Sequence, residues 1–309
     1  MSRTEPAERA QVPGRTAEGR PGARTAHGEP GARAVYAVRS FGLLRNEIGT
    51  TFRRRRTVVL LAVLACVPVL VGIAVRVHTG DGGGGGGPAF ISLITNNGLF
   101  LVFTSLAATL PVFLPMALGV VAGDAIAGEA HAGTLRYLLV APAGRTRLLL
   151  VKYATALVFS LVATLVVAAS ALAVGALLFP LGEVTLLSGT AVPFTEGLLR
   201  ALAVAGVVAL SLTGVAALGL FVSTLTGSGI AAMATTVGLV LTVQILDTLP
   251  QLAAVQPYLF PHYWLSFADL LRDPVYWDDI RTNLGLQAAY TLVLGSAAWA
   301  RFTTRDITG

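Results

Sequence analysis

Six apolar runs, each near the length that crosses a bilayer, constrain this chain more than any other feature. They fall at about 57–76, 99–123, 150–179, 198–222, 229–249 and 284–300, the last of them short. A helix needs roughly 20 apolar residues to cross the hydrocarbon core. In lipid the backbone must satisfy its own hydrogen bonds, so such runs fold as helices. Pro68, Pro111 and Pro115 lie inside runs and predict kinks. Only 12% of the residues are charged and the mean hydropathy is +0.73, where a soluble domain carries about 25% charge. The fold expected is an all-α integral membrane protein, six transmembrane helices preceded by an amphipathic interfacial helix.

The charges are segregated. Twelve arginines precede Thr57. Residues 1–35, rich in Arg, Ala, Gly, Pro and Glu, bury too little apolar surface to order themselves and read as a disordered cytoplasmic tail rather than a cleaved leader. In residues 36–56, Ala37, Phe41, Leu44, Ile48 and Phe52 recur at helical spacing, with Arg39, Asn46 and Arg53 opposite. That pattern predicts a helix lying in the membrane interface, its working residues Phe41, Leu44, Glu47, Ile48 and Phe52. With the N-terminus inside, the connection after the second run brings Arg136, Arg145, Arg147 and Lys152 to the same side, and Arg301 and Arg305 follow at the end. Only Arg76, Arg200, Arg272 and Arg281 fall outside. The bias places both termini in the cytoplasm of a multi-pass cell-membrane protein. Outside lie a Gly-rich loop at 80–88 and a long aromatic connection at 250–283, read as short helices on the outer surface or a lid over a ligand.

Several function classes lose ground. The bases sit in the tail and beside apolar runs rather than on one folded face, so nucleic acid is not an expected partner. Cys66 is the single cysteine; it reads as a small buried hydrophobe and rules out an intrachain disulfide. The four histidines are scattered without metal-ligand spacing, and no metal site is expected. Asp124 and Asp247 read as lying at span ends, and Lys152 as snorkelling to the interface. Without a mid-span carboxylate, an ion-coupled secondary transporter is the alternative rather than the first reading. No paired aspartates, Ser/His pair or HExxH helix suggests a membrane enzyme, and Asp278-Asp279 reads as a solvated loop pair. There is no G-x-x-x-x-G-K-[ST] to cradle a nucleotide. Small residues at Gly119–Gly123, Ala171 with Gly175, and Ala234 with Gly238 favour close helix packing.

The connection itself, "GDAIAGEAHAGTLRYLLVAPAGRTRLLLVKY" at 123–153, interrupts the apolar chain with acids, a Gly-Thr pair, a proline and bases. Thr134, Leu135, Leu138 and Leu139 form a short amphipathic run closed by Pro142. Composition alone leaves two readings open, a plug for a partner's groove or a passive connection. The order Glu129, Gly133, Thr134, Leu135, Pro142, Arg145 and Lys152 resembles the cytoplasmic connection of permease subunits in the type-2 exporter family of ATP-binding-cassette (ABC) transporters. Gly144 stands where that family commonly has Ser. "RNEIGTTFRRRR" before the first run and "WARFTTRDITG" after the last are similar to the family's flanking landmarks, so the resemblance covers about residues 36–309.

The resemblance implies a non-catalytic half-transporter. Residues 57–309 would form the six-span domain and pair with a second copy or a paralogue. A separate ATP-binding subunit would carry ATP and magnesium, with no cofactor on this chain. The loop 124–147 would couple to that subunit through Glu129, Gly133, Thr134, Leu135, Pro142 and Arg145. Glu129 would sit favourably near a helix N-terminus, and Arg145 would meet an acid on the partner.

Overall fold

In the computed structural model the described residues are 30–80, 89–131 and 144–304, with side chains over 42–78, 92–131 and 144–304. The chain divides into two compact units between Arg39 and Ser40. The described part of the first unit, from Pro30 on, is helical and includes 30–35 of the span read as a tail; residues 1–29 lie outside the described residues. The second unit holds everything below.

Among the described residues the fold is helical apart from one small hairpin. α1 (Pro30–Arg53) meets α2 (Arg55–Gly80) at a bend on Arg54. α3 (Ala89–Asn96) and α4 (Phe100–Thr109) precede α5 (Phe113–His131), and α6 (Arg145–Leu178) is the longest helix. α7 (Phe194–Ser211), α8 (Thr213–Leu225), α9 (Gly229–Asp247) and α10 (Asp278–Thr304) follow among the described residues. Among the described residues five helical stretches are long and apolar enough to cross a membrane: Arg55–His78, Phe113–His131, Arg145–Leu178, Phe194–Leu225 and Gly229–Asp247. α10 is as long but more polar, carrying Asn283 and Gln287 in its first half, and is not among them.

Two expected spans are interrupted. The run at 99–123 is split into α4 and α5 around Pro111, which has no N–H to continue the ladder. The amide of Gln244 donates to the Pro111 carbonyl at 2.7 Å and so satisfies a group the break exposes. α5 then continues to His131, well past the expected end of the span. The run at 198–222 breaks at Leu212 with no proline to mark it. There the hydroxyls of Ser160 and Tyr153 donate to the carbonyls of Ala209 and Thr213 at 3.2 and 3.3 Å.

Small residues set the closest contacts. A Cβ on Gly175 of α6 would collide with the Gly98 carbonyl, and one on Gly98 with Gly175. A Cβ on Gly123 would lie 3.0 Å from Met233 Cα, and one on Gly119 3.3 Å from Thr236, so the expected Gly119–Gly123 face packs on α9. Ala234 and Gly238 point away from the bundle. Cys66, expected inside, is exposed on α2. An outward position on a membrane helix is as apolar as an inward one, which is why composition could not tell them apart.

β1 (Val184–Thr185) and β2 (Ala191–Val192) pair antiparallel, Val184 opposite Val192, around Gly189 at φ 85°. That backbone region favours glycine. The stretch 250–283 holds short 3-10 helices at Pro250–Leu252, Gln256–Tyr258 and Trp264–Leu271. They do not simply lie on a surface: Phe260, Trp264 and Phe267 are buried, with the Phe260 ring 5.6 Å from Trp264 and 5.5 Å from Tyr290. Aromatic rings bury large apolar areas, and here that area closes one end of the bundle. Asp278 and Asp279 are exposed but open α10, where their charge suits the helix N-terminus.

Candidate functional site

Where α1 turns into α2, two helices that are distant in sequence bring their charges to the same place. Lys152, in the second turn of α6, is only 2% exposed. Its ammonium donates to Glu47 Oε1 of α1 at 2.6 Å and also to Glu129 Oε1 of α5. Alongside, Asp124 of α5, 7% exposed, accepts from Arg54 Nη1 at 3.0 Å and from Arg56 Nη2. Three cations and three carboxylates thus balance one another at the junction of four helices. Thr51, Thr57 and Thr155 line a cavity of about 20 Å³ between the two groups, the size of one water molecule.

The surroundings are shaped for these charges. A Cβ on Gly128 or on Gly229 of α9 would strike the Asp124 carboxylate, so two glycines leave it room. Ser223 Oγ of α8 accepts from the N–H groups of Ile126 and Ala127 at 2.9 and 2.8 Å and fixes this end of α5. Phe52 leans on Phe159, ring centroids 6.1 Å apart, holding α1 against α6. Burying a charge costs several kcal/mol after relaxation, and its partners repay that only when all are present. The arrangement therefore makes the positions of α1, α5 and α6 interdependent.

Three sequence-based expectations change here. Residues 124–131 are not part of a loop but the last two turns of α5, and Arg145–Arg147 already open α6. Glu129 lies in the last described turn of α5, held by Lys152, and the short helix whose N-terminus it was expected to favour falls outside the described residues. Lys152 does not snorkel, because its two carboxylates reach it inside the bundle. Arg145 donates to the carbonyls of Thr303 and Phe302 at 2.8 and 3.4 Å, closing the C-terminal end of α10 within its own chain.

Of the other expected residues, Leu44, Glu47, Ile48 and Phe52 share the partly buried side of α1, with Arg45, Asn46 and Arg53 exposed opposite. Phe41 lies in α1 but its side chain is outside the described residues, as are Gly133, Thr134, Leu135 and Pro142. Of the expected Gly-rich loop at 80–88, Gly80 ends α2 and the rest falls outside them, as does the chain end at 305–309. Sequence reasoning missed Asp124, Arg54 and Arg56 as a unit. The signal was an acid at the end of one apolar run and a run of four arginines before another.

Residues 88–308 match a family described as Protein of unknown function (DUF2705), which is more than half of the chain. Asp124, Glu129 and Lys152 lie within the matched residues, whereas Glu47, Arg54 and Arg56 precede them. No curated protein matches the chain.

Proposed function

The chain belongs to this DUF2705 family, and we propose that it is the permease subunit of an ATP-driven exporter, coupled to a separate ATP-binding subunit. In this reading α2, the broken α4–α5, α6, the broken α7–α8, α9 and α10 are six crossings of the cell membrane. α1 is the interfacial helix, and both termini face the cytoplasm. Two such chains, identical or paralogous, enclose the pathway, surrounded by membrane lipid.

The observation that carries the proposal is Lys152 held between Glu47 and Glu129. The end of α5, within the stretch that the resemblance couples to the ATP-binding partner, is tied to the interfacial helix α1 and to α6 by one buried cation. A push on either element is thereby felt by the spans. ATP bound to the partner would favour one arrangement of this junction and hydrolysis another, a population shift whose size equals the differential interaction energy.

A second reading, an ion-coupled carrier, draws on the same buried carboxylates, because titratable groups inside a membrane bundle often mark ion pathways. One pair of experiments separates the two. Under the first reading the chain co-purifies with a separate ATP-binding subunit when the two are expressed together, and hydrolyses no ATP alone. Uphill transport by the chain alone in liposomes, driven by a proton gradient, would refute the ABC reading and establish the second.

A further inference from the structure

The run of four arginines at 53–56 divides in the structure. Arg54 and Arg56 turn in to Asp124, whereas Arg53 and Arg55 are exposed. One face of α1 carries Arg53 together with Gly42, Arg45, Asn46, Gly49 and Thr50, at the three- and four-residue spacing of helical neighbours. These residues line a hollow of about 340 Å³ whose floor is the two glycines, where a Cβ would meet nothing within 4 Å. Arg45 and Arg53 stand about 12 Å apart along the helix at 1.5 Å per residue, with Gly49 midway. No acid shares this face, because Glu47, the one acid of α1, is taken by Lys152. Among the described residues the guanidinium groups of Arg45, Arg53 and Arg55 have no ion-pair or hydrogen-bond partner.

Two unpaired guanidinium groups on either side of a glycine floor suit a phosphate group. The neighbouring surface selects its source. Just past Arg53, across the bend, Arg55 heads an exposed apolar stripe of α2, where Val58, Val59 and Val63 follow at helical spacing. α2 is long and apolar enough to cross a membrane, so these arginines stand where its apolar surface ends, the level of lipid headgroups. A cationic hollow beside an exposed apolar stripe complements an amphiphile better than it does a free anion or an acidic protein segment. We propose that this face of α1 binds an anionic phospholipid, its phosphate between Arg45 and Arg53 and its chains along the α2 stripe. Such binding requires α2 to cross the membrane and is independent of coupling to ATP.

Delipidated full-length protein in detergent is titrated with phosphatidylglycerol or phosphatidylcholine and followed by native mass spectrometry. Wild type binds phosphatidylglycerol about ten-fold or more tightly than phosphatidylcholine. Arg45→Gln and Arg53→Gln each lower that preference about five-fold, the effect of one basic residue near an anionic surface. Gly49→Leu keeps both charges but fills the floor of the hollow, and weakens phosphatidylglycerol by a similar factor. Arg301→Gln, at an exposed base near the end of α10, leaves the preference unchanged. Headgroup-photoreactive phosphatidylglycerol on wild type answers without any variant, its label falling within 42–53. Equal uptake of both lipids by wild type, an undiminished preference in both arginine variants, or label confined to other segments overturns the proposal. So does displacement of the lipid by an equal concentration of inorganic phosphate, which would make the hollow a site for the free anion. An acidic protein partner would show instead as unaltered lipid binding in the arginine variants with loss of a co-expressed ATP-binding subunit, and that too overturns it.

Discussion

Lys152 is the residue on which the junction turns, since it is the only cation touching both Glu47 and Glu129 in the described contacts. Lys152→Met keeps most of its volume and removes the ammonium that Glu47 and Glu129 share. The expected loss is about 3–5 kcal/mol of stability, the usual cost of removing one partner from a buried ion pair, read as thermal unfolding in detergent. Arg54→Gln should cost far less, because Asp124 retains Arg56 and both guanidinium groups are more than a third exposed. Equal melting of wild type and Lys152→Met would show the cluster to be peripheral. Gly229→Ala places a methyl on the Asp124 carboxylate, and overpacking of that kind costs about 1–3 kcal/mol. The charges themselves were legible in the sequence, but their partners were not. Lys152 looked like a residue that reaches outward, because a lone ammonium at a span end does so. Only the convergence of α1 and α5 gives it a reason to stay inside.

At the scale of elements, apolar length located the helices, and chemistry located one break of two. Pro111 announces the gap between α4 and α5, because proline removes a donor. The break at Leu212 carries no such mark: Ser160, on another helix, donates to the Ala209 carbonyl there, and the Thr213 hydroxyl donates to that of Leu210. Tertiary partners of that sort leave no trace in local periodicity. The aromatic stretch 250–283 forms the expected short helices and leaves Tyr258, Tyr276 and Trp277 exposed, but part of it is buried. Tyr and Trp suit a membrane surface, but Phe260 and Trp264 find a packed site against α10 instead. The small-residue pattern named Gly119, Gly123 and Gly175, which pack closely, and Gly238, which meets nothing within the chain. Gly175→Ala should disrupt the approach of α6 to Gly98 at a cost of about 1–3 kcal/mol. Gly238→Ala, which meets nothing within 4 Å, should be neutral or stabilise by up to about 1 kcal/mol through helix propensity. Similar melting temperatures for the two variants would mean that the Gly98–Gly175 contact is not tight.

For the whole molecule, orientation and coupling are separate questions, and each has its own measurement. In a Cys66→Ser background, a cysteine at Gly84 should react in intact cells with a reagent that cannot cross membranes, and one at Gly144 should not. The basis is the weight of arginine on the second side. Labelling at 144 alone would invert the chain and remove the ATP-binding partner from the cluster's side of the membrane. Coupling is tested at Glu129, and the structure changes how. Replacement by alanine would leave a hole beside a buried ammonium and confound instability with lost coupling. Glu129→Gln keeps the shape and an acceptor for Lys152 while removing the charge, and Lys152 still has Glu47. If the junction only holds the helices together, Glu129→Gln melts somewhat lower but transports normally, and the partner's ATP hydrolysis still responds to cargo. If it couples the two, assembly with the ATPase survives while transport falls and hydrolysis loses its dependence on cargo. Coupling energies are typically about 1–3 kcal/mol, so one altered charge contact is large enough to erase most of that response. Arg301→Ala, an exposed base near the end of α10, controls for charge alone and should leave both readouts unchanged. Wild-type transport and wild-type ATPase stimulation in Glu129→Gln would confine the cluster to stability and remove the main support for the coupling proposal.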